Sequence, residues 1–170
     1  MNIAFTLNGT GKSYHGPSGK NVQELLQSMG IHSVRKTEEK AGFSGSDIIL
    51  LDGKIVNAGL LVAAQLEGKS VQTVESLSSP GVLSVVQSAL VEYGLIQSAY
   101  NSPATALILT ELLDRVPHPG REDVIDALSS IYIRDSGYEQ YFKAVNLAVK
   151  RKSDPAYSEI IAEAFRDDLR

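Results

Sequence analysis

Residues 47–57 read Asp47-Ile48-Ile49-Leu50-Leu51-Asp52-Gly53-Lys54-Ile55-Val56-Asn57. The run after Asp47 is apolar and short, which predicts a strand over 47–51. Asp52-Gly53 predicts a tight hairpin turn, because both central positions of such a turn need positive φ. A return strand then covers 54–57. Working outward, 2–7 alternates and carries β-formers, Asn8-Gly9-Thr10-Gly11 is a turn cluster, and 12–15 returns as a second hairpin. Gly68-Lys69 makes a further turn before a last strand over 71–74. Two short helices interrupt the strands. Asn21 caps one over 22–29, with Val22, Leu25, Leu26 and Met29 on one face and Gly30 at its end. The other covers 60–66. Residues 33–46 are polar, with Arg35, Lys36, Glu38, Glu39 and Lys40 close together, and read as a long surface loop.

The period changes after residue 80. Leu83, Val86, Leu90 and Tyr93 recur at helical spacing. Pro103 sits in the first turn of a helix capped by Ser102 that stops near Arg115, before Pro117-His118-Pro119-Gly120. Glu122 and Asp123 favour the start of the next helix, which carries Val124, Ile125, Ala127 and Leu128. Another helix covers 138–150. Asp154-Pro155 opens a terminal helix with Tyr157, Ile160, Ile161, Ala164 and Phe165 inward. The expected division is a β-rich domain over 1–77, a linker at 78–80, and a helical domain over 81–170.

Composition narrows the chemistry. The chain has 170 residues, three histidines and no cysteine. That absence excludes disulfides, thiolate zinc sites, cysteine nucleophiles and all-cysteine iron–sulfur clusters. His15, His32 and His118 are too scattered in sequence to suggest a metal site. A net charge of −4 gives no reason to expect nucleic acid or an anionic membrane as partner. Apolar runs such as 48–51 and 59–64 fall far short of the ~20 residues a bilayer needs. The expectation is a cytoplasmic protein.

The order of several short stretches resembles a known family. They are Leu50-Leu51-Asp52-Gly53-Lys54, Val56-Asn57, and Gly68-Lys69-Ser70-Val71-Gln72-Thr73-Val74-Glu75. Further on come Val86-Gln87-Ser88-Ala89, Gly94-Leu95-Ile96-Gln97, Leu112-Leu113-Asp114-Arg115, Ala127-Leu128-Ser129 and Arg134-Asp135-Ser136-Gly137-Tyr138. Over 3–149 the chain resembles the small iron–sulfur subunit of the molybdenum hydroxylases, the xanthine dehydrogenase, aldehyde oxidoreductase and carbon monoxide dehydrogenase family. The resemblance implies an α+β fold: an N-terminal β-grasp domain of plant-ferredoxin type, then a C-terminal four-helix domain. In the family each domain holds one 2Fe–2S cluster on four cysteines. Here the first quartet falls on Glu39, Ser44, Asp47 and Gly59. The second falls on Ser98, Asn101, Ile133 and Asp135.

Gly59 offers no side chain and Ile133 only hydrocarbon, so neither quartet can ligate a cluster. The expectation is a chain that binds no iron–sulfur cluster and carries no electrons. Ile133 would fill part of the vacated space, while Ser98, Asn101 and Asp135 would hydrogen-bond one another. By resemblance, the partners are a large molybdopterin-binding subunit and, as is usual in the family, an FAD subunit, in a hetero-oligomer. Gln97 corresponds to a residue lying beside the pterin, and is the one candidate cofactor contact. The chain then reads as a non-catalytic structural subunit of an oxidoreductase complex. The rival is a free-standing binding or regulatory module that kept the fold.

Other constellations are weaker. Glu39, Ser44 and Asp47 lack the loop pattern of a calcium site and read as a solvated loop. Gly9-Thr10-Gly11-Lys12 lacks the spacing of a phosphate loop. His118 between prolines reads as a loop residue, with nothing to assemble a hydrolase triad. Tyr100, Tyr132, Tyr138 and Tyr141 read as core or interface packing on so acidic a chain.

Overall fold

The computed structural model describes residues 1–35, 45–79, 81–134, 136–157 and 159. Five strands form one mixed sheet in the order β2-β1-β5-β3-β4. They are β1 (Asn2–Leu7), β2 (Thr10–His15), β3 (Ile48–Leu51), β4 (Lys54–Asn57) and β5 (Ser70–Gln72). β1 and β5 run parallel; the other neighbours are antiparallel. The helices are α1 (Val22–Ser28), α2 (Val85–Glu92), α3 (Ser102–Arg115), α4 (Arg121–Leu128) and α5 (Tyr138–Lys152). This is the expected α+β arrangement, sheet first and helices after.

The decisive run at 48–51 is explained by its position. Side chains alternate across a strand. Ile49 packs with Ile3, Phe5, Val22, Leu25, Leu26 and Val71 on the α1 side of the sheet. Ile48 and Leu50 belong to the other apolar cluster, with Leu90, Leu107, Leu112, Leu128 and Tyr141 of the helices. A strand covered on both faces reads as continuously apolar rather than alternating. A one-residue slip would exchange the two sets, so both cores fix its register.

Both hairpin turns carry positive φ at their two central residues: Asn8 and Gly9 in the first, Asp52 and Gly53 in the second. The first turn is therefore two residues long, and β2 starts at Thr10 rather than 12. Asn21 caps α1, its Oδ1 accepting from the amide of Gln23 at 3.0 Å. The expected helix over 60–66 is instead two 3₁₀ turns, Ala58–Leu60 and Ala63–Leu66. The chain between them is extended because it pairs with the start of α1: Val22 donates to Leu61 O and Ala63 to Lys20 O. The last strand ends early, at Gln72, because the Thr73 amide turns to Asn8 Oδ1.

In the helical half, Ser102 is not the cap of α3 but its first residue. Asn101 stands at the capping position and makes no capping bond; its side chain is engaged elsewhere. Of the predicted stripe before and along α2, Val86 and Leu90 are buried while Leu83 and Tyr93 are exposed. Ile125 is likewise exposed. Tyr157 donates to Ser88 Oγ at 2.8 Å; Ile160, Ile161, Ala164 and Phe165 lie outside the described residues. No helix among those described is long and apolar enough to cross a membrane.

Candidate functional site

Asp47 precedes β3 and is only 1% exposed. Its carboxylate has two donors: Asn57 Nδ2 to Oδ1 at 2.8 Å and the Gly59 amide to Oδ2 at 2.7 Å. Its backbone carbonyl accepts from the Ala58 amide at 2.9 Å. The β3–β4 hairpin makes this possible, since it pairs Ile48 with Asn57 and so brings the chain on either side together. Two positions of the first quartet, 47 and 59, are thus bonded directly to each other. A Cβ at Gly59 would lie 2.7 Å from Asp47 Oδ2. Asn21 Nδ2 donates to Gly59 O at 2.8 Å, and buried Gln23 donates through Nε2 to Arg35 O. The start of α1 is thereby tied to the same spot. Glu39 and Ser44 lie outside the described residues.

The second quartet is arranged around Asn101. Its amide donates to Ser98 Oγ at 3.2 Å. Its Oδ1 accepts from Ser46 Oγ at 2.8 Å, and its Nδ2 donates to Tyr132 O at 3.0 Å. The link between Ser98 and Asn101 is thus made by the Asn101 backbone amide, while its side chain turns to Ser46 and Tyr132. Ile133 is partly buried against the helical core, which places hydrocarbon where the resemblance puts a thiolate. Asp135 lies outside the described residues.

The two quartets are neighbours. Ser46, adjacent to Asp47, reaches Asn101, while Arg35 Nη2 donates to Ala99 O at 3.1 Å. Gly45, at φ +65°, lies flush on the backbone of Ser130 and Ile131, leaving no room for a side chain. The sequence assigns no site role to Ser46, Arg35, Gln23 or Asn57. Gln23, Arg35 and Asn57 signal only as polar residues next to an apolar one, and Ser46, between Gly45 and Asp47, carries no signal of its own.

Gln97 is exposed, in the connection between α2 and α3, and no hydrogen bond holds its amide among the described residues. Beside it opens an apolar cleft of about 280 Å³, lined among others by Leu83, Leu90, Val91, Ile96, Ala99 and Pro103. His15, His32 and His118 are all exposed and apart. No group of three or more His, Asp or Glu among the described residues could hold a metal ion. Tyr141 is core, whereas Tyr100, Tyr132 and Tyr138 are at the surface.

The donor set does not fit a 2Fe–2S cluster. Such clusters are held by four thiolates, and the chain has no cysteine. At 59 the space for any side chain is already taken by the Asp47 carboxylate, and at 133 the side chain is part of an apolar core.

A family model described as "[2Fe-2S] binding domain" matches residues 73–146. The probable hypoxanthine oxidase XdhD of Escherichia coli K12 is 52% identical over 169 residues, 99% of this chain but only 18% of that protein. The xanthine dehydrogenase iron-sulfur-binding subunit of Escherichia coli O157:H7 is 33% identical over 113 residues, 66% of this chain and 70% of that subunit. Among solved structures, quinoline 2-oxidoreductase of Pseudomonas putida 86 superposes with a TM-score of 0.78 at 26% identity, over 96% of both chains. The aldehyde oxidoreductase of Desulfovibrio gigas gives a TM-score of 0.83 at 27% identity, over 91% of this chain and 18% of that one.

Proposed function

This chain belongs to the iron–sulfur small-subunit family of the molybdenum hydroxylases, and from that premise we propose that it is a cluster-less structural module of such an oxidoreductase. It packs against a molybdopterin-binding segment, holds that assembly together, and neither catalyses nor relays electrons. The segment is a separate subunit or a continuation of the same polypeptide; matched proteins exist in which this module is 18% of a longer chain. The observation that carries the reading is the Asp47–Gly59 bond, which joins two former ligand positions to each other. Among the described positions, Asp47 and Gly59, and Ser98 and Asn101, carry hydrogen bonds and Ile133 packs on the helical core, which supports a fold kept for its shape.

Gln97 is the residue proposed to reach the partner's pterin. Its exposure and its unengaged amide leave both a donor and an acceptor for a heterocycle edge. The neighbouring cleft supplies apolar area for the surrounding contact.

Isolation of the native protein from its source, with mass spectrometry and analysis of molybdenum, iron and flavin, tests the reading. The expected result is a molybdopterin-binding segment with molybdenum in the same particle, and no 2Fe–2S signal by electron paramagnetic resonance from the reduced chain itself. Flavin in the particle would add the third component. A lone chain free of molybdenum would overturn the proposal, as would a 2Fe–2S signal that follows this chain.

A further inference from the structure

The two vestigial quartets share a property that neither shows alone. Their described polar members are connected by hydrogen bonds to one another and across the molecule. Asp47 closes the hairpin end onto Gly59, Ser46 extends from it to Asn101, and Asn101 passes the connection on to Tyr132 O. Arg35 adds a second crossing at Ala99 O, and Gly45 a third by direct backbone packing on Ser130. One crossing uses Asn101 itself, and Gly45, Ser46 and Ala99 each stand next in sequence to a position where the resemblance puts a cluster ligand.

We propose that these positions have become a metal-free clasp, with Asp47 holding the sheet side closed and Asn101 fastening it to the helical side. The inference rests on the cluster-less reading above and adds what took the cluster's place. A structural metal ties loops together by coordination. Here a carboxylate with two donors does the same for 47 and 57–59. Asn101 suits its place because one primary amide both accepts and donates. It accepts from Ser46 on one side and donates to Tyr132 on the other. A carboxylate at 101 could only accept, and a hydroxyl would be too short to serve both.

Hydrogen exchange of the full chain, read by mass spectrometry, tests this without any activity. The variants are Asp47→Asn, Ser46→Ala and Asn101→Ala. In Asp47→Asn the charge is lost and one acceptor becomes a donor, so the Gly59 amide keeps at best a neutral bond and should exchange about 10-fold faster. Ser46→Ala and Asn101→Ala should speed exchange at 98–102 and 130–133 while the middle of α3 keeps its protection. Neither a chelator nor added ferrous iron and sulfide should change the wild-type pattern. Should Asp47→Asn loosen the whole chain, Ser46→Ala, which removes one hydroxyl, still reads the crossing. The clasp is overturned if exchange at 58–59 and at 130–133 stays within twofold of wild type in these variants. It is also overturned if chelation alone opens those segments. Partner capture does not enter, so this result stands apart from the fate of the proposed function.

Discussion

Replacing Gly59 with alanine separates steric filling of the old ligand position from mere loss of a cysteine. The new Cβ would sit 2.7 Å from Asp47 Oδ2. Such a contact is cheap when the neighbour is the free end of a flexible side chain. That is the case at Gly16, whose nearest neighbour is the half-exposed Tyr14 ring. Asp47 is different, being buried and held by Asn57 and the Gly59 amide. To yield, the carboxylate must stretch or break the Gly59 bond, worth ~1.5–3 kcal/mol for a charged acceptor. Overpacking adds about 1–3 kcal/mol, and the stiffer unfolded chain returns about 0.4–1 kcal/mol. The net expectation is a loss of about 1.5–5.5 kcal/mol, or roughly 5–16 °C in Tm at about 3 °C per kcal/mol for a chain of this size. Urea unfolding followed by circular dichroism at pH 7 measures it. The same substitution in an Asp47→Ala background should cost little, because the clash partner is gone, giving a coupling of about 2 kcal/mol. If Gly59→Ala lies within about 0.5 kcal/mol of wild type, or costs the same with and without Asp47, the reasoning fails.

Gly45→Ala should be worse, since the obstacle is the Ser130 backbone and φ is +65°; failure to accumulate soluble protein, or a Tm loss exceeding that of Gly59→Ala, is the expected readout. Gln97→Ala should leave the urea midpoint of the chain unchanged yet weaken its retention on the molybdopterin-binding partner, measured by co-purification. At the second hairpin, the hydrogen bond from Lys69, then the Ser70 amide, holds the Asp52 carboxyl below its usual range. A lowered folded-state value means stability present above the ordinary carboxylate range and lost as pH falls through it. Asp52→Asn, which tolerates the same positive φ, should therefore flatten the acid side of the Tm–pH curve and leave pH 7–8 behaviour flat, as differential scanning fluorimetry would show.

The strands and most helices were legible because their causes are local. Asp52-Gly53 and Asn8-Gly9 specify their own turns, and Asn21 its cap. The 3₁₀ turns at 58–66 were not, since the break between them comes from pairing with Lys20 and Val22, some 40 positions away in sequence. Asn101 shows the limit most clearly. Beside Pro103 it reads as part of a helix start, yet its side chain answers to Ser46 and Tyr132, 55 and 31 residues distant. That the quartets could not ligate was readable from residue types alone. What replaced ligation was not, because hydrogen-bond partners are chosen by the fold.

This replacement has a consequence for any return to cluster binding. At four of the five described positions where the resemblance puts a ligand, 47, 59, 101 and 133, a cysteine meets an obstacle already in place. Gly59→Cys puts a side chain against the Asp47 carboxylate. Asp47→Cys leaves the buried Gly59 amide and Asn57 Nδ2 without a strong acceptor. Asn101→Cys cuts the connection to Ser46 and Tyr132, and Ile133→Cys removes hydrocarbon packed on the helical core. At ~1–3 kcal/mol for each orphaned buried group, two such steps consume a large part of a stability of about 5–15 kcal/mol. These four single cysteine variants should therefore each melt below wild type, whether or not iron and sulfide are supplied. The exception to look for is the pair Asp47→Cys with Gly59→Cys, in which the clash is relieved. If any single reversion is neutral, the vacated positions are not filled as tightly as their hydrogen bonds indicate, and the chain has kept room for the cluster it lacks the ligands to bind.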